Sequence, residues 1–153
     1  MPVAATTRRR VPAQTAAYIN RRIDSQIERN VRFFSAHPGE IDRRLTELDQ
    51  EWDIERVIQA NAATLALAGT ILGLKSSHRF LLVPALVTGF LLQHAIQGWC
   101  PPLPFLRRAG VRTAAEIETE RNALKALRGD FYAVGDKKTP TTSANAALKA
   151  VNA

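Results

Sequence analysis

Two uncharged stretches decide the fold of this chain: residues 57–74, VIQANAATLALAGTILGL, and residues 80–99, FLLVPALVTGFLLQHAIQGW. As an α-helix the first stretch extends about 27 Å at about 1.5 Å per residue, against ~30 Å for the hydrocarbon core of a bilayer. The second supplies about 20 residues, the length expected of a span, before the prolines that follow end it. Only residues 75–79 lie between them. The pattern therefore predicts two antiparallel membrane-spanning helices, a transmembrane hairpin over 54–106.

A periodic segment precedes the first span. From residue 15 onward, apolar residues recur at intervals of three and four and so share one side of a helix: Ile19, Ile23, Ile27, Val31 and Phe34. Arginines are frequent on the polar side. Two alternatives stay open, because such a helix either lies on a membrane surface or packs its apolar stripe against the next helix.

A break at Pro38 separates this helix from a second one, since proline cannot sit inside a helix. The second helix shows the seam spacing of paired helices at Ile41, Leu45, Leu48 and Trp52. We therefore expect a short antiparallel pairing of the two, a cytoplasmic helical hairpin over 15–53. Its second helix is expected to continue without a break into the first span.

A further amphipathic helix is predicted over residues 113–131. Thr113 and Glu116 form a capping box, in which the two side chains satisfy unpaired amides at a helix start. The prolines and arginines of residues 1–14 predict a disordered basic arm there. The mostly small and polar composition of residues 132–153 predicts a disordered tail. The expected fold class is thus all-α, a membrane helical hairpin with flanking cytoplasmic amphipathic helices.

The net charge of +7 is divided among three segments. Residues 1–56 carry ten cations against nine acids, residues 107–153 carry nine against five, and the turn between the spans carries two cations. A mildly basic chain around a neutral core favours the lipid bilayer over nucleic acid as its partner. Since cations at the outer ends of the spans outnumber those in the turn, the positive-inside rule predicts that both termini are cytoplasmic.

Small residues are spaced along one face of each span. Such faces let two helix backbones approach closely, and amides on them hydrogen-bond between helices. The candidate helix-packing residues are Ala62, Ala66, Gly69 and Gly73 in the first span and Ala85, Gly89, Gln93 and Gln97 in the second. The sequence leaves open whether each face meets the other span or a second copy of the chain, although a homodimer is expected.

Two residues near the end of the second span have side chains that could take part in a reaction or bind a ligand. Cys100 is the only cysteine, so a disulfide within one chain is excluded. It is either a small apolar side chain at a helix end or a reactive thiol open to oxidation, nitrosylation or lipidation. His94 is a hydrogen-bonding neutral ring, a proton relay or a metal ligand, but no second ligand lies at metal-binding spacing. We therefore expect no metal and no cofactor.

The central segment also resembles a known family. The matching features run in order through ATLALAGTILG at 63–73, FLL at 80–82, GFLL at 89–92 and GWCP at 98–101. Over roughly residues 54–110 they resemble the two-helix transmembrane domain of the YgaP-like inner-membrane proteins. The resemblance implies helix packing at Gly69, Gly73 and Gly89, a dimer, and a preference for Cys100 without an assigned role. It also implies a location in a bacterial inner membrane.

In one member of that family the hairpin anchors a sulfur-handling rhodanese domain. This sequence shows neither the β–α alternation nor the cysteine-bearing loop of such a domain, so the activity is not expected here. The leading hypothesis is a non-enzymatic membrane scaffold or accessory subunit that binds a partner with its cytoplasmic helices. The alternative is a redox or sulfur-relay accessory protein that acts through Cys100, and a soluble helical bundle is a third possibility.

Overall fold

A computed structural model of the chain describes residues 8–135 and 147–148. Within these residues the structure is helical and contains no strand, which confirms the all-α class. The α-helices are α1 (Arg10–Ala13), α2 (Ala17–Ala36), α3 (Ile41–Gln50), α4 (Ile54–Lys75), α5 (Leu82–Gln97), α6 (Leu103–Ala109) and α7 (Ala114–Arg128). Short 3₁₀ segments occur at Pro38–Glu40, His78–Leu81 and Tyr132–Gly135.

The chain divides into two compact units, each assembled from separate parts of the sequence. Unit 1 joins the residues up to Ile23 to residues 52–115, and unit 2 joins residues 24–51 to those from 116 onward. From the sequence alone, residues 15–53 and 113–131 are expected to form two separate appendages of the hairpin. The structure instead assigns the later part of α2, α3 and most of α7 to one unit.

The hairpin of α4 and α5 forms the long part of unit 1. A Cβ atom added to Gly69 would lie 2.8 Å from Cδ of Pro84 and 2.9 Å from Cβ of Val83, and one added to Gly73 would lie 2.5 Å from Leu81. Both glycines are buried. The small-residue face of α4 is therefore in contact with the start of α5 in the same chain.

An apolar cluster closes the other end of unit 1, which we call the hairpin base. Its buried members come from α1, α4, α6 and the link after α5: Val11, Ile54, Ile58, Cys100 and Leu103. Leu91 and Trp99 pack against them. The base thus joins three parts of the chain that are far apart in sequence: α1, the start of α4, and the link after α5 together with α6.

Unit 2 has its own core, built by α3, α7 and the end of α2. The buried apolar residues are Phe34, Ile41, Leu45, Leu48, Ile117 and Leu124. Glu120 is fully buried among them and accepts hydrogen bonds from Nε of Arg44 at 2.9 Å and Nδ2 of Asn30 at 3.1 Å. Because a buried carboxylate needs such donors, this contact fixes the register of α7 within the unit.

Two sequence predictions about the helices differ from the structure. The second helix does not run into the first span: α3 ends at Gln50 and α4 starts at Ile54, where Oδ1 of Asp53 accepts a hydrogen bond from the Arg56 amide at 2.8 Å. Aspartate is a strong N-cap, and this signal was missed. Residues 1–14 are expected to be a disordered arm, but residues 10–13 form the helix α1, and its Val11 is buried.

The helix α6 was not predicted, because its flanking prolines were read only as the end of the preceding span. Proline is in fact well suited to the first turn of a helix, and Gly110 ends α6 with φ of +93°. The predicted tail falls largely on residues 136–146 and 149–153, which lie outside the described residues.

Two helical segments in the described chain are long and apolar enough to cross a membrane, one ending at Lys75 and the other covering His78–Gln97. In their most apolar windows only 22% and 6% of the residues are buried. The core helix of a soluble protein is mostly buried, so these fractions are consistent with a membrane location and with a helical hairpin.

The packing at Gly69 leads to a stability prediction. Gly69→Val places three carbons against a proline ring and a β-branched side chain that cannot turn away, so we expect about 1–3 kcal/mol of destabilisation. Thermal unfolding of the detergent-solubilised protein measures it. Ala68→Val, on the exposed side of the same helix, is the matched control and should unfold within about 0.5 kcal/mol of the unmodified chain. Equal unfolding of the two variants would contradict this contact.

Candidate functional site

A hydrogen-bond network of polar side chains crosses the hairpin base. Nη2 of Arg10 donates to Oε1 of Glu55 at 2.9 Å, and Nε2 of His94 lies 2.8 Å from Oε2 of the same carboxylate. Nη1 of Arg10 also donates to the backbone carbonyl of Ala95 at 2.9 Å. The site therefore links α1, the first turn of α4 and the last turn of α5.

The local sequence positions these groups. Asp53 caps α4 and so places Glu55 in its first turn, while the antiparallel return brings the end of α5 beside it. Gly98 ends α5 with φ of +75°, and a Cβ there would lie 2.7 Å from the backbone carbonyl group of Arg10. Glycine is required at this position, both for its positive φ and for the close approach of α1.

His94 is only 2% exposed. A carboxylate accepts hydrogen bonds but does not donate them, so Nε2 of His94 carries the hydrogen and Nδ1 of the neutral ring is an acceptor. Nδ1 is buried and has no hydrogen-bond partner in the described part of the chain. The carboxylate thus fixes the orientation of the imidazole ring.

Cys100, which follows α5, is 2% exposed and lies in the apolar cluster of the base. Burial raises the pKa of its thiol, the Leu103 amide opposes this with a hydrogen bond, and the charge of Glu55 raises the pKa slightly further. A raised pKa lowers the thiolate fraction at neutral pH, and the thiolate is the reactive form. The geometry is that of a structural cysteine and not of an activated one.

An apolar groove of about 450 Å³ opens beside the base. Ile58, Ala62 and Leu65 line it from α4, Val87, Phe90 and Leu91 from α5, and Cys100, Pro101 and Pro102 close one end. Asn61 is the one residue with an amide side chain in the lining, and its Nδ2 donates to the Val57 carbonyl of its own helix at 2.9 Å. The volume lies in the range of small-molecule sites.

The structure separates the two predicted helix-packing faces. Ala62 and Ala66 are half-buried on the side of α4 that carries the two buried glycines. On α5, however, Val83, Val87, Leu91 and His94 turn inward, and the predicted residues Ala85, Gly89 and Gln97 are exposed, with Gln93 half-buried. A Cβ added to Gly89 would meet nothing within 4 Å. The small-residue face of α5 is therefore open within one chain.

Arg10 and Glu55 were missed by sequence reasoning. They lie 45 residues apart, and His94 lies 39 residues from Glu55, so no local motif connects them. One signal was available: His94 interrupts an apolar run, and an ionisable residue inside such a run usually has a partner at the same depth. Antiparallel pairing of the spans brings Glu55 to that depth.

Comparisons with protein-family models, with curated proteins and with solved structures find no match to this chain. The resemblance to the YgaP-like domain family stays a prediction.

The docking of α1 onto the hairpin base should depend on Glu55. A four-residue helix is not stable alone, so its amides are protected only while α1 is docked. Glu55→Ala removes the shared acceptor of Arg10 and His94, and we expect faster hydrogen exchange at Ala13 and Gln14. The loss of these bonds should cost roughly 1–3 kcal/mol.

Gln59→Ala is the matched control, since Gln59 is exposed one turn further along α4. It should leave this exchange unchanged. Protection that survives in Glu55→Ala would show that the apolar contacts of Val11 alone hold α1.

Cys100 gives a pH-dependent prediction. Because burial raises the pKa of this thiol, alkylation of the folded protein should reach its half-maximal rate at a pH above the free-thiol value of about 8.5. Detergent-denatured chain, which no longer buries the thiol, should titrate near that value. A folded midpoint below it would instead identify an activated cysteine.

Proposed function

We propose that this protein is a non-enzymatic, integral membrane scaffold or accessory subunit with two spans, α4 and α5. Unit 2 binds a partner protein, and the hairpin base joins α1 and α6 to the two spans within unit 1.

One observation carries this proposal: the outward sides of α4 and α5 expose large apolar residues along their whole length. Leu65, Leu67, Leu82, Leu86, Leu92 and Ile96 are each between 55% and 69% exposed. Residues 80–99 include ten Leu, Ile, Val and Phe side chains and no acidic or basic residue other than His94. At about −0.3 to −0.6 kcal/mol each near a span centre, these side chains favour insertion by roughly 3 to 6 kcal/mol.

The polar groups within α4 and α5 are compatible with a bilayer. Threonine hydroxyls at 64, 70 and 88 donate to carbonyls one turn back in their own helices, at 2.7–2.8 Å. His94 is paired with Glu55 at the end of the spans, where water and headgroups begin. Each of these donors thus avoids the several kcal/mol that an unsatisfied group costs in lipid.

Charge supports a cytoplasmic location for the base. Arg56 and Arg108 flank the spans at this end, and only Lys75 and Arg79 lie at the turn. Trp52 is half exposed with the Arg56 guanidinium 4.2 Å from its ring centre, an arrangement suited to the headgroup region. We place both termini in the cytoplasm and the spans in a bacterial inner membrane.

Association is proposed to use α5. The small-residue face of α4 is in contact with α5 of the same chain, whereas Ala85 and Gly89 leave an open face of α5 that continues through Gln93 and Gln97. A second copy that packs there would hydrogen-bond to the two amides. A homodimer is thereby compatible with the hairpin packing.

Unit 2 is proposed as the partner-binding part. Its surface carries Phe33, 48% exposed, whose ring stacks on His37 with centroids 4.2 Å apart. Exposed aromatic residues with a polar neighbour are frequent anchors in protein interfaces. A redox role for Cys100 receives no support from its burial and its raised pKa.

Alkaline extraction of membranes tests insertion. The protein should stay in the pellet after carbonate treatment and be released only by detergent, because its apolar sides contact lipid.

Gly89→Ile should reduce a chemically crosslinked dimer severalfold and leave the chain in the pellet. Gly39→Ile, also unobstructed but in unit 2, is the control.

Recovery of the unmodified chain in the soluble fraction without detergent would refute the membrane assignment. An unchanged dimer in Gly89→Ile would refute the α5 interface alone.

A further inference from the structure

The fold concentrates the positive charge of the chain in one unit. Residues 1–23 and 52–115 contain eleven Lys and Arg side chains and two acids, a net charge of +9. The rest of the chain contains ten cations and twelve acids, a net charge of −2. A charge count over consecutive segments of the sequence hides this division. The boundaries between the units fall within α2, between residues 23 and 24, just before α4, between residues 51 and 52, and within α7, between residues 115 and 116. The unit that contains the two apolar spans is therefore the cationic one.

Nine of the eleven cations flank the hairpin base, and only Lys75 and Arg79 lie at the turn. Contacts place the N-terminal group at the base, since Arg10 reaches both Glu55 and the Ala95 carbonyl. Nη2 of Arg22 donates to the carbonyl of Arg108 at 2.6 Å and so places the α2 group beside α6. The base thus collects arginines from α1, α2, α4 and α6.

Most of these arginines have exposed side chains that pair with no carboxylate in the described residues. They are Arg8, Arg9, Arg21, Arg22, Arg56 and Arg108. The two acids of the unit are already engaged, because Glu55 binds Arg10 and His94 and Asp53 caps α4. The charge of the exposed group is therefore not neutralised by the acids of unit 1, and it attracts anions.

The apolar groove between α4 and α5 ends at the same base. Cys100 and Ile58 belong both to its lining and to the buried cluster of the base. Phe105 of α6 is 70% exposed one turn before the exposed Arg108, an amphipathic pattern that suits the boundary between headgroups and acyl chains. An apolar groove thus adjoins a collar of cations.

From this juxtaposition we propose that the hairpin base is a binding site for an anionic phospholipid, with the phosphate held by exposed arginines and one acyl chain in the groove. The inference rests on the proposed membrane insertion and adds a ligand to it. Charge complementarity selects the headgroup, because the choline cation of a zwitterionic lipid cancels the charge of its phosphate, whereas an anionic lipid keeps a net negative charge that the exposed arginines attract. The apolar lining selects a lipid over a free phosphate, which would not use the groove.

Native mass spectrometry of the full-length protein in detergent tests the site. The probes are palmitoyl-oleoyl phosphatidylglycerol and the phosphatidylcholine with the same chains. Each exposed arginine near a membrane surface contributes about fivefold in affinity, so Arg56→Gln/Arg108→Gln should bind the phosphatidylglycerol about 25-fold more weakly. Arg29→Gln/Arg32→Gln makes the same change in charge on exposed residues of unit 2 and should bind normally.

A second pair of variants tests the groove. Ala62→Phe fills it and should weaken binding of the long-chain lipid at least tenfold while leaving dihexanoyl phosphatidylglycerol unaffected. Ala63→Phe, exposed on the outer side of α4, should bind both lipids normally. Circular dichroism identifies any variant that fails to fold, and the arginine pair tests the site independently of it.

Equal retention of the two palmitoyl-oleoyl lipids would overturn the proposal, and so would displacement of phosphatidylglycerol by inorganic phosphate at equal concentration. Equal weakening in the two arginine pairs would also overturn it, since the effect would then be one of total charge. These outcomes leave membrane insertion intact, because extraction by detergent measures that separately.

Discussion

Close contact between α4 and α5 is the constraint on which the rest of unit 1 depends. In the bilayer that we propose for this hairpin there is no hydrophobic driving force between two apolar helices, so their association relies on close packing. Gly69 and Gly73 permit it, because Pro84 and Leu81 occupy the space that larger side chains would need. The hairpin turn then brings the first turn of α4 beside the last turn of α5, where Glu55 meets its partners.

The two long apolar helices and the amphipathic helices were predictable because uncharged length and apolar periodicity are local properties of the sequence. The helix break at Asp53 carries a local signal as well, an N-cap that was overlooked beneath the continuous seam pattern. The pairing of Arg10 with Glu55 was not predictable in this way, because it depends on which segments the hairpin brings together. The same holds for α1, whose four residues are ordered by tertiary contacts alone.

The faces of the spans show a further limit of sequence reasoning. Small residues at four-residue spacing identify a face that another backbone can approach, but they do not identify the partner. The face of α4 meets α5 of the same chain, and the equally regular face at Ala85 and Gly89 is open. Charge shows the same dependence on the fold, since the division into units gathers cations that are scattered along the chain.

The most direct measurement is the depth of single tryptophans in reconstituted bilayers, in a background where Trp52 and Trp99 are replaced by phenylalanine. The account predicts that Leu86→Trp, on the 62% exposed outer side of α5, is quenched by lipids with brominated acyl chains and not by aqueous iodide. Leu127→Trp, 45% exposed on α7, should show the reverse. Quenching of both tryptophans by iodide to the same extent would contradict a transmembrane hairpin.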